Sequence, residues 1–224
     1  MKVAIDGPAG SGKSTIAKRI ASQYGLTYLD TGAMYRACAW LKLKHNMQFD
    51  ELLALLPSVE FQFYDSGKAL KLAYKNNVDD VSEAIRTPEV TALVSDVAAN
   101  ADLRAIMTEK QRAIALQVDV IMDGRDIGTV VLPNAELKFF LTASAEERAK
   151  RRTAEWNGKG TQANYDEVLK EIIERDRKDS ERTASPLKRS DDATEIDTTC
   201  LTIDEVTAII GDAVKDFRAT IGEG

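Results

Sequence analysis

The sequence predicts an α/β fold, a parallel sheet with helices on both faces, and three observations lead there. Short apolar runs alternate with amphipathic helical stretches along most of the 224 residues, as βαβ units do. The first run, Val3-Ala4-Ile5, leads into Gly7-Pro8-Ala9-Gly10-Ser11-Gly12-Lys13-Ser14, a G-x-x-x-x-G-K-S stretch whose proper context is a strand before and a helix after. One segment, about 58–83, switches to a period near two, so the core carries a small antiparallel β insertion.

Taken in order, Lys2–Asp6 is the first strand and Lys13–Gln23 the first helix, with Ile16, Ala17, Ile20 and Ala21 on one face and Gly25 as its C-terminal cap. Thr27–Asp30 is a short strand entering a turn at Asp30-Thr31-Gly32. Helices follow at Ala33–His45 and near Asp50–Leu55, and Pro57 ends the second. Val59–Tyr64 alternates, Asp65-Ser66-Gly67 turns, and Ala69–Tyr74 resumes extended character. Helices return at Pro88–Ala99 and Ala101–Gln117. Val118–Asp123 and Leu137–Leu141 read as buried strands. Ala145–Trp156 is a helix broken by Asn157-Gly158-Lys159-Gly160, and Tyr165–Arg182 is a second long helix. Glu195–Asp197 is the last expected strand and Ile203–Ala219 the last helix. Ligands of parallel sheets bind at the carboxyl ends of strands, so the loops 7–13, 30–36 and 123–129 should share one cleft.

Bulk composition narrows the class. Hydrophobic content of 44% and charged content of 29% are those of a globular chain, and the net charge of −6 argues against wholesale binding to nucleic acid or an acidic membrane. No window is apolar enough to span a bilayer, and the N-terminus runs straight into the first strand without a signal peptide, so a cytoplasmic protein is expected. Cys38 and Cys200 fit no metal spacing and are expected as buried free thiols. With His45 as the single histidine, placed at a helix end, no Ser/His/Asp set is available without it.

The glycine-rich loop has a local mechanism. Its backbone N–H groups point into one concavity that holds a phosphate chain, at the positive end of the following helix. Lys13 would reach the terminal phosphates, and the Ser14 hydroxyl can hold a magnesium ion. Arginines gather around the same strand ends. Arg36 follows Asp30-Thr31-Gly32 and Arg125 follows Asp123. Arg148, Arg151 and Arg152 recur at helical spacing, and Arg175, Asp179 and Arg182 stand at i, i+4 and i+7. Guanidinium forks suit phosphate oxygens. A phosphate-binding loop facing such forks suggests phosphoryl transfer between nucleotides, in which the protein positions groups and neutralises charge. A phosphate acceptor is already a nucleophile at neutral pH and needs no base. An alcohol acceptor would need a carboxylate, for which Asp126, Asp30 or Asp123 stands near. A GTPase-type switch is disfavoured, since the chain has no N-K-x-D stretch.

Four stretches carry a family resemblance: Ile5–Thr15, Leu29-Asp30-Thr31-Gly32-Ala33-Met34-Tyr35-Arg36, Ile85-Arg86-Thr87, and Asp123-Gly124-Arg125-Asp126-Ile127-Gly128-Thr129-Val130-Val131. The helical run Glu174–Arg182 then leads to Pro186-Leu187. Over nearly its whole length the chain resembles the bacterial cytidylate (CMP/dCMP) kinases. The resemblance implies one P-loop nucleoside monophosphate kinase domain, 1–224, with a monophosphate-binding region at 31–117 that includes the insertion and a lid at 156–165. It implies ATP with Mg²⁺ as donor, CMP or dCMP as acceptor, no nucleic acid or membrane partner, and a monomer.

By the same resemblance Gly7, Pro8, Ala9, Gly10, Ser11, Gly12, Lys13, Ser14 and Thr15 hold ATP, with Ser14 toward the metal. Thr31, Arg36 and Arg125 hold the CMP phosphate, Ser95, Arg104 and Asp126 read cytosine, and Arg175, Asp179 and Arg182 reach the sugar and phosphates. Lys13, Arg125, Arg152 and Arg182 form the candidate catalytic set, although spacing alone does not select among Arg148, Arg151 and Arg152. Cytosine offers a donor at N4 and acceptors at N3 and O2, which a carboxylate, an arginine and a hydroxyl can answer. Uracil would turn an acceptor toward Asp126.

Overall fold

A five-stranded, all-parallel sheet in the order β2-β6-β1-β7-β8 forms the centre of the computed structural model, which describes residues 1–65, 67, 69–158, 160 and 162–222. The strands are β1 (Lys2–Asp6), β2 (Thr27–Asp30), β6 (Val120–Gly124), β7 (Leu137–Thr142) and β8 (Thr194–Asp197). Ile5 of β1 lies beside Asp123 of β6 and Phe139 of β7, so the central strand ends level with β6 and two residues short of β7. Helices α1 (Lys13–Tyr24) and α8 (Ile203–Thr220) cover one face, where Ile16, Ile20, Val206, Ile210 and Val214 close over Val3, Ile5 and Leu141. On the other face α2 (Thr31–Lys44), α4 (Pro88–Ala99) and α5 (Ala101–Ala115) bury Met34, Leu41, Val94, Val97, Leu103 and Met107 against Ala4 and Met122. Helices α6 (Ala145–Gly158) and α7 (Tyr165–Glu181) pack on each other through Ala149, Val168 and Ile172, a small core of their own.

The insertion follows α3 (Phe49–Leu55) and has three antiparallel strands: β3 (Glu60–Tyr64), β4 (Ala69–Tyr74) and β5 (Asn77–Asp80). The hairpin was legible in the alternation. The third strand, NVDD, is too polar and too short to signal itself; pairing with β4 holds it, together with Lys44 of α2 on Asp79 and the Tyr74 and Tyr64 hydroxyls on Asp79 and Asp80. Ser66 of the expected turn lies outside the described residues.

Several boundaries differ from the sequence reading. Asp30-Thr31-Gly32 is not a turn: α2 starts at Thr31, because the Asp30 side chain accepts from the Ala33 N–H at 2.8 Å and caps the first turn. Val118 and Asp119 stay outside β6, and α5 stops at Ala115 rather than Gln117. Helix α6 runs on through Asn157 and Gly158, since one glycine costs a helix end only about 1 kcal/mol. The expected loop 123–129 runs into one turn of π-helix, 127–131, with Val130 and Val131 N–H both donating to the Asp126 carbonyl. Cys38 is buried as expected, but Cys200 is exposed in the segment before α8.

Candidate active site

The carboxyl ends of β1, β2 and β6 open on one cleft, and its first wall is the glycine-rich loop. Gly7 has φ +145°, and a Cβ there would sit 1.9 Å from the Leu141 carbonyl oxygen, so no side chain fits. Gly10, at φ +80°, lets the loop lie against the Arg148 side chain. Lys13 is buried and donates to the Pro8 carbonyl at 2.6 Å and to Ser11 Oγ at 3.3 Å. Burial and then the neighbouring Arg125 push its ammonium down to about 7, against the pull of Asp123 and Asp6. An anionic phosphate beside it reverses that balance and keeps the charge.

Behind the loop stands Asp123, at the end of β6. It accepts from Ser14 Oγ and from the Tyr28 hydroxyl, each at 2.7 Å, while its own carbonyl accepts from Thr31 Oγ1 at 2.7 Å. Burial, reinforced by Asp30, raises the Asp123 pKa. A hydroxyl and a carboxylate in contact form an oxygen donor set that fits magnesium, which characteristically takes one or two protein oxygens and fills its shell with phosphate and water. Among the described residues no cluster of three or more His, Cys, Asp or Glu could form an all-protein metal cage, so any Mg²⁺ here would depend on substrate oxygens.

The opposite wall is built of guanidinium groups from α2, the end of β6, α6 and α7. Arg36, on α2, lies 3.2 Å from Asp30. Arg125, just past β6, donates through Nε to Asp179 of α7 at 2.8 Å. Arg182, at the end of α7, donates through Nε to the Ser185 carbonyl and lies 3.8 Å from the other Asp179 oxygen. Burial, then Arg125, push Arg175 down to about 10, with Arg152 and Arg36 adding to the effect. These mutual effects place the cationic heads together. The burial and the like charges are costly without an anion to offset them.

Orphaned donors mark the same place. Arg36 Nε, Arg104 Nε, Arg175 Nε and Arg182 Nη2 are buried with no partner. Arg218 Nε is likewise orphaned, but it belongs to α8 on the far side of the sheet, where its head packs on Tyr24. A buried donor left unmade costs about 1–3 kcal/mol. Four in one cleft point to an acceptor-rich ligand.

Deeper in, Arg104 of α5 is 3% exposed and pairs with Asp126, 4% exposed. Its guanidinium also donates to the Ala98 carbonyl at 3.0 Å and lies 5.1 Å over the Tyr35 ring. Ser95 is half-buried on α4 and lines an open pocket of about 300 Å³ with Asp179 and Arg182. Ser95 therefore approaches the sugar-side residues, while Arg104 and Asp126 form the buried floor.

The three arginines of α6 divide. Arg148 donates to the Ala143 and Ala9 carbonyls at 2.9 and 3.1 Å and to Asp176 at 2.6 Å. Arg151 is tied to Glu147 and to both oxygens of Thr198, whose hydroxyl reaches the Ser11 carbonyl. Both brace the glycine-rich loop from behind, holding its carbonyls outward so that its N–H groups face the cleft. Arg152 stacks over Trp156 at 4.8 Å, and burial lowers its pKa, as do Arg36 and Arg125. Of the three, it is the one whose charge the cleft arginines feel. The sequence reading grouped all three on one face. It also considered Asp123 only as a base, left Arg148 unselected among the three, and assigned nothing to Asp6 or Tyr28, whose hydrogen-bond partners lie 95 to 122 residues away. Lys159 and Thr161 of the expected lid lie outside the described residues.

Comparison with known proteins bears on this geometry. The family described as Cytidylate kinase matches residues 3–216. A cytidylate kinase of Halalkalibacterium halodurans is 47% identical over 96% of this chain and 98% of its own. One from Bacillus licheniformis is 51% identical over 91% of each. Among solved structures, an uncharacterized protein of Eubacterium ventriosum shares the fold with a TM-score of 0.52 at 14% identity, covering 96% of this chain and 98% of that one.

Proposed function

The chain belongs to the cytidylate kinase family, and on that premise we propose that it transfers the γ-phosphoryl of ATP to the phosphate of CMP and of dCMP. The four orphaned guanidinium donors at the acceptor end of the cleft carry this reading, because they ask for a ligand rich in phosphate and carbonyl oxygens.

Residues 7–15 cradle the ATP phosphates through backbone N–H groups, and Lys13 swings from the Pro8 carbonyl to the β- and γ-phosphates. Thr31, Arg36 and Arg125 take the CMP phosphate. Asp126 accepts from cytosine N4, Arg104 donates to N3 or O2, Ser95 completes the set that reads the base, and Arg175, Asp179 and Arg182 contact the sugar and phosphates. Mg²⁺, held by Ser14 with Asp123 behind it, would supply charge neutralisation on the donor phosphates. The CMP phosphate, with a second pKa of about 6, attacks as an anion without a base. Negative charge spreads over the migrating phosphoryl, and Lys13, Arg125, Arg152 and Arg182 stabilise it. Arg125 is poised for this: it leaves Asp179 for a phosphate oxygen without leaving the cleft.

Steady-state assay of ADP release with ATP and CMP, dCMP or UMP tests the reading. CMP and dCMP should outperform UMP in kcat/KM by about a hundredfold or more, because uracil leaves Asp126 facing an oxygen. Equal turnover of UMP would contradict the cytosine assignment, and turnover of an alcohol instead of a nucleotide would contradict the reaction class.

A further inference from the structure

Arg125 and Asp126 lead directly into the only π-helical turn among the described residues, Ile127–Val131, which Asp126 caps, and two side chains from other elements hold that turn at both ends. At its front, Asp6 accepts from the backbone N–H of Ile127 at 2.8 Å and of Gly128 at 2.7 Å. Asp6 is the last residue of β1, immediately before Gly7 of the phosphate loop. At the rear, Arg112 of α5 donates through Nε to the Val131 carbonyl at 2.9 Å and through Nη2 to the Val130 carbonyl at 2.6 Å. Gly128 leaves little room beside this anchor: a Cβ there would sit 3.2 Å from Lys138 Cδ and 3.4 Å from Asp6 Oδ2, a tight approach that the flexible Lys138 stem would have to yield to.

A wide helical turn is otherwise a poor platform, because its hydrogen bonds are badly aligned and its backbone is easily rearranged. Here two N–H groups at the front and two carbonyls at the rear are taken up by charged side chains. One anchor sits at the root of the donor loop. The other is on α5 two turns beyond Arg104, the partner of Asp126. The bracket therefore fixes Asp126 against Arg104 and Arg125 against Asp179, within the tolerance of a fraction of an ångström that discrimination between two pyrimidine rings demands. Burial pushes the Asp6 carboxyl up to about 6 despite its two N–H donors, so the chain maintains an ionised carboxylate here at a cost.

We infer that Asp6 and Arg112 are positioning residues that set acceptor specificity: by clamping the 127–131 turn they hold Asp126 and Arg125 in the register that distinguishes cytosine from uracil. The inference rests on the CMP reading above. Its test is the ratio of kcat/KM for CMP to that for UMP in the wild type, Asp6→Asn and Arg112→Met. Asparagine turns an N–H toward one of the two N–H donors, and methionine keeps the aliphatic stem of an exposed arginine while removing both bonds. Each variant should raise KM for CMP by about 10–100-fold, leave KM for ATP within about twofold, and compress the CMP/UMP ratio by about tenfold. If Asp6→Asn does not fold, Arg112→Met decides. A variant that loses activity on CMP and UMP in equal proportion, or whose KM for ATP rises with that for CMP, has merely been loosened, and the inference is overturned. A wild type with no preference for CMP would instead sink the cytosine reading and leave the bracket without a specificity to set.

Discussion

The two halves of the cleft are made in opposite ways. The donor half is nearly contiguous: residues 7–15 form it almost alone, its ligand-binding groups are backbone N–H, and its conformation follows from glycines at positive φ and from the helix that starts at Lys13. The acceptor half is assembled from α2, α4, α5, the β6 end and α7, its binding groups are long side chains, and it is held by ion pairs such as Arg104–Asp126 and Arg125–Asp179. Backbone sites tolerate change around them as long as the turn survives. Side-chain sites depend on every brace.

Removing the charge of the donor half should produce the largest effect. Lys13→Met should lower kcat about 10³-fold or more with little change in CMP affinity, as read by single-turnover kinetics and calorimetry. A loss confined to KM for ATP would mean that Lys13 only binds. Next comes a contrast within α6. Arg152→Ala should cut kcat about 10²-fold while leaving the melting curve nearly unchanged. Arg148→Ala should destabilise the fold by about 3–5 kcal/mol in urea, because it strands the Asp176 carboxylate and two carbonyls. If the two variants exchange phenotypes, the division between braces and transfer groups is wrong.

Smaller effects probe the carboxylates. Ser14→Ala should raise the Mg²⁺ concentration needed for half-maximal rate about tenfold, measured by titrating Mg²⁺ at saturating nucleotide. The Asp6 carboxyl is raised from 3.8 to about 6, so its contribution to stability is full below pH 4 and is lost as pH rises through 6. The melting-temperature advantage of wild type over Asp6→Asn should therefore shrink by a few degrees between pH 4 and pH 7. An advantage that grows with pH would show that the carboxylate is a net stabiliser when ionised.

The same contrast governs what the sequence could say. The phosphate loop and the strands around it were legible because their cause is local: an apolar run, glycines, a lysine and an amphipathic helix. Arg36 and Arg125 were legible at strand ends because parallel sheets gather ligands there. The Asp123–Ser14 contact spans 109 residues and the Arg148–Ala9 contact 139, and nothing in the flanking residues signals either. The π-helical turn was invisible for a related reason. It depends on Asp6 and Arg112, neither of which lies within it, and its own residues, IGTVV, favour extended structure. A charged residue ending a buried strand just before a glycine-rich loop, as Asp6 does, was the one available hint.

The central claim is that anionic acceptor and guanidinium fan meet at the end of β6, with the pyrimidine on the Arg104–Asp126 floor. The crystal structure of the complex with CMP tests it most directly. The account predicts phosphate oxygens within about 3 Å of Arg36 and Arg125 and cytosine N4 at the same distance from an Asp126 oxygen. CMP bound elsewhere, with Arg104 still paired to Asp126 and no ligand against either, would contradict it.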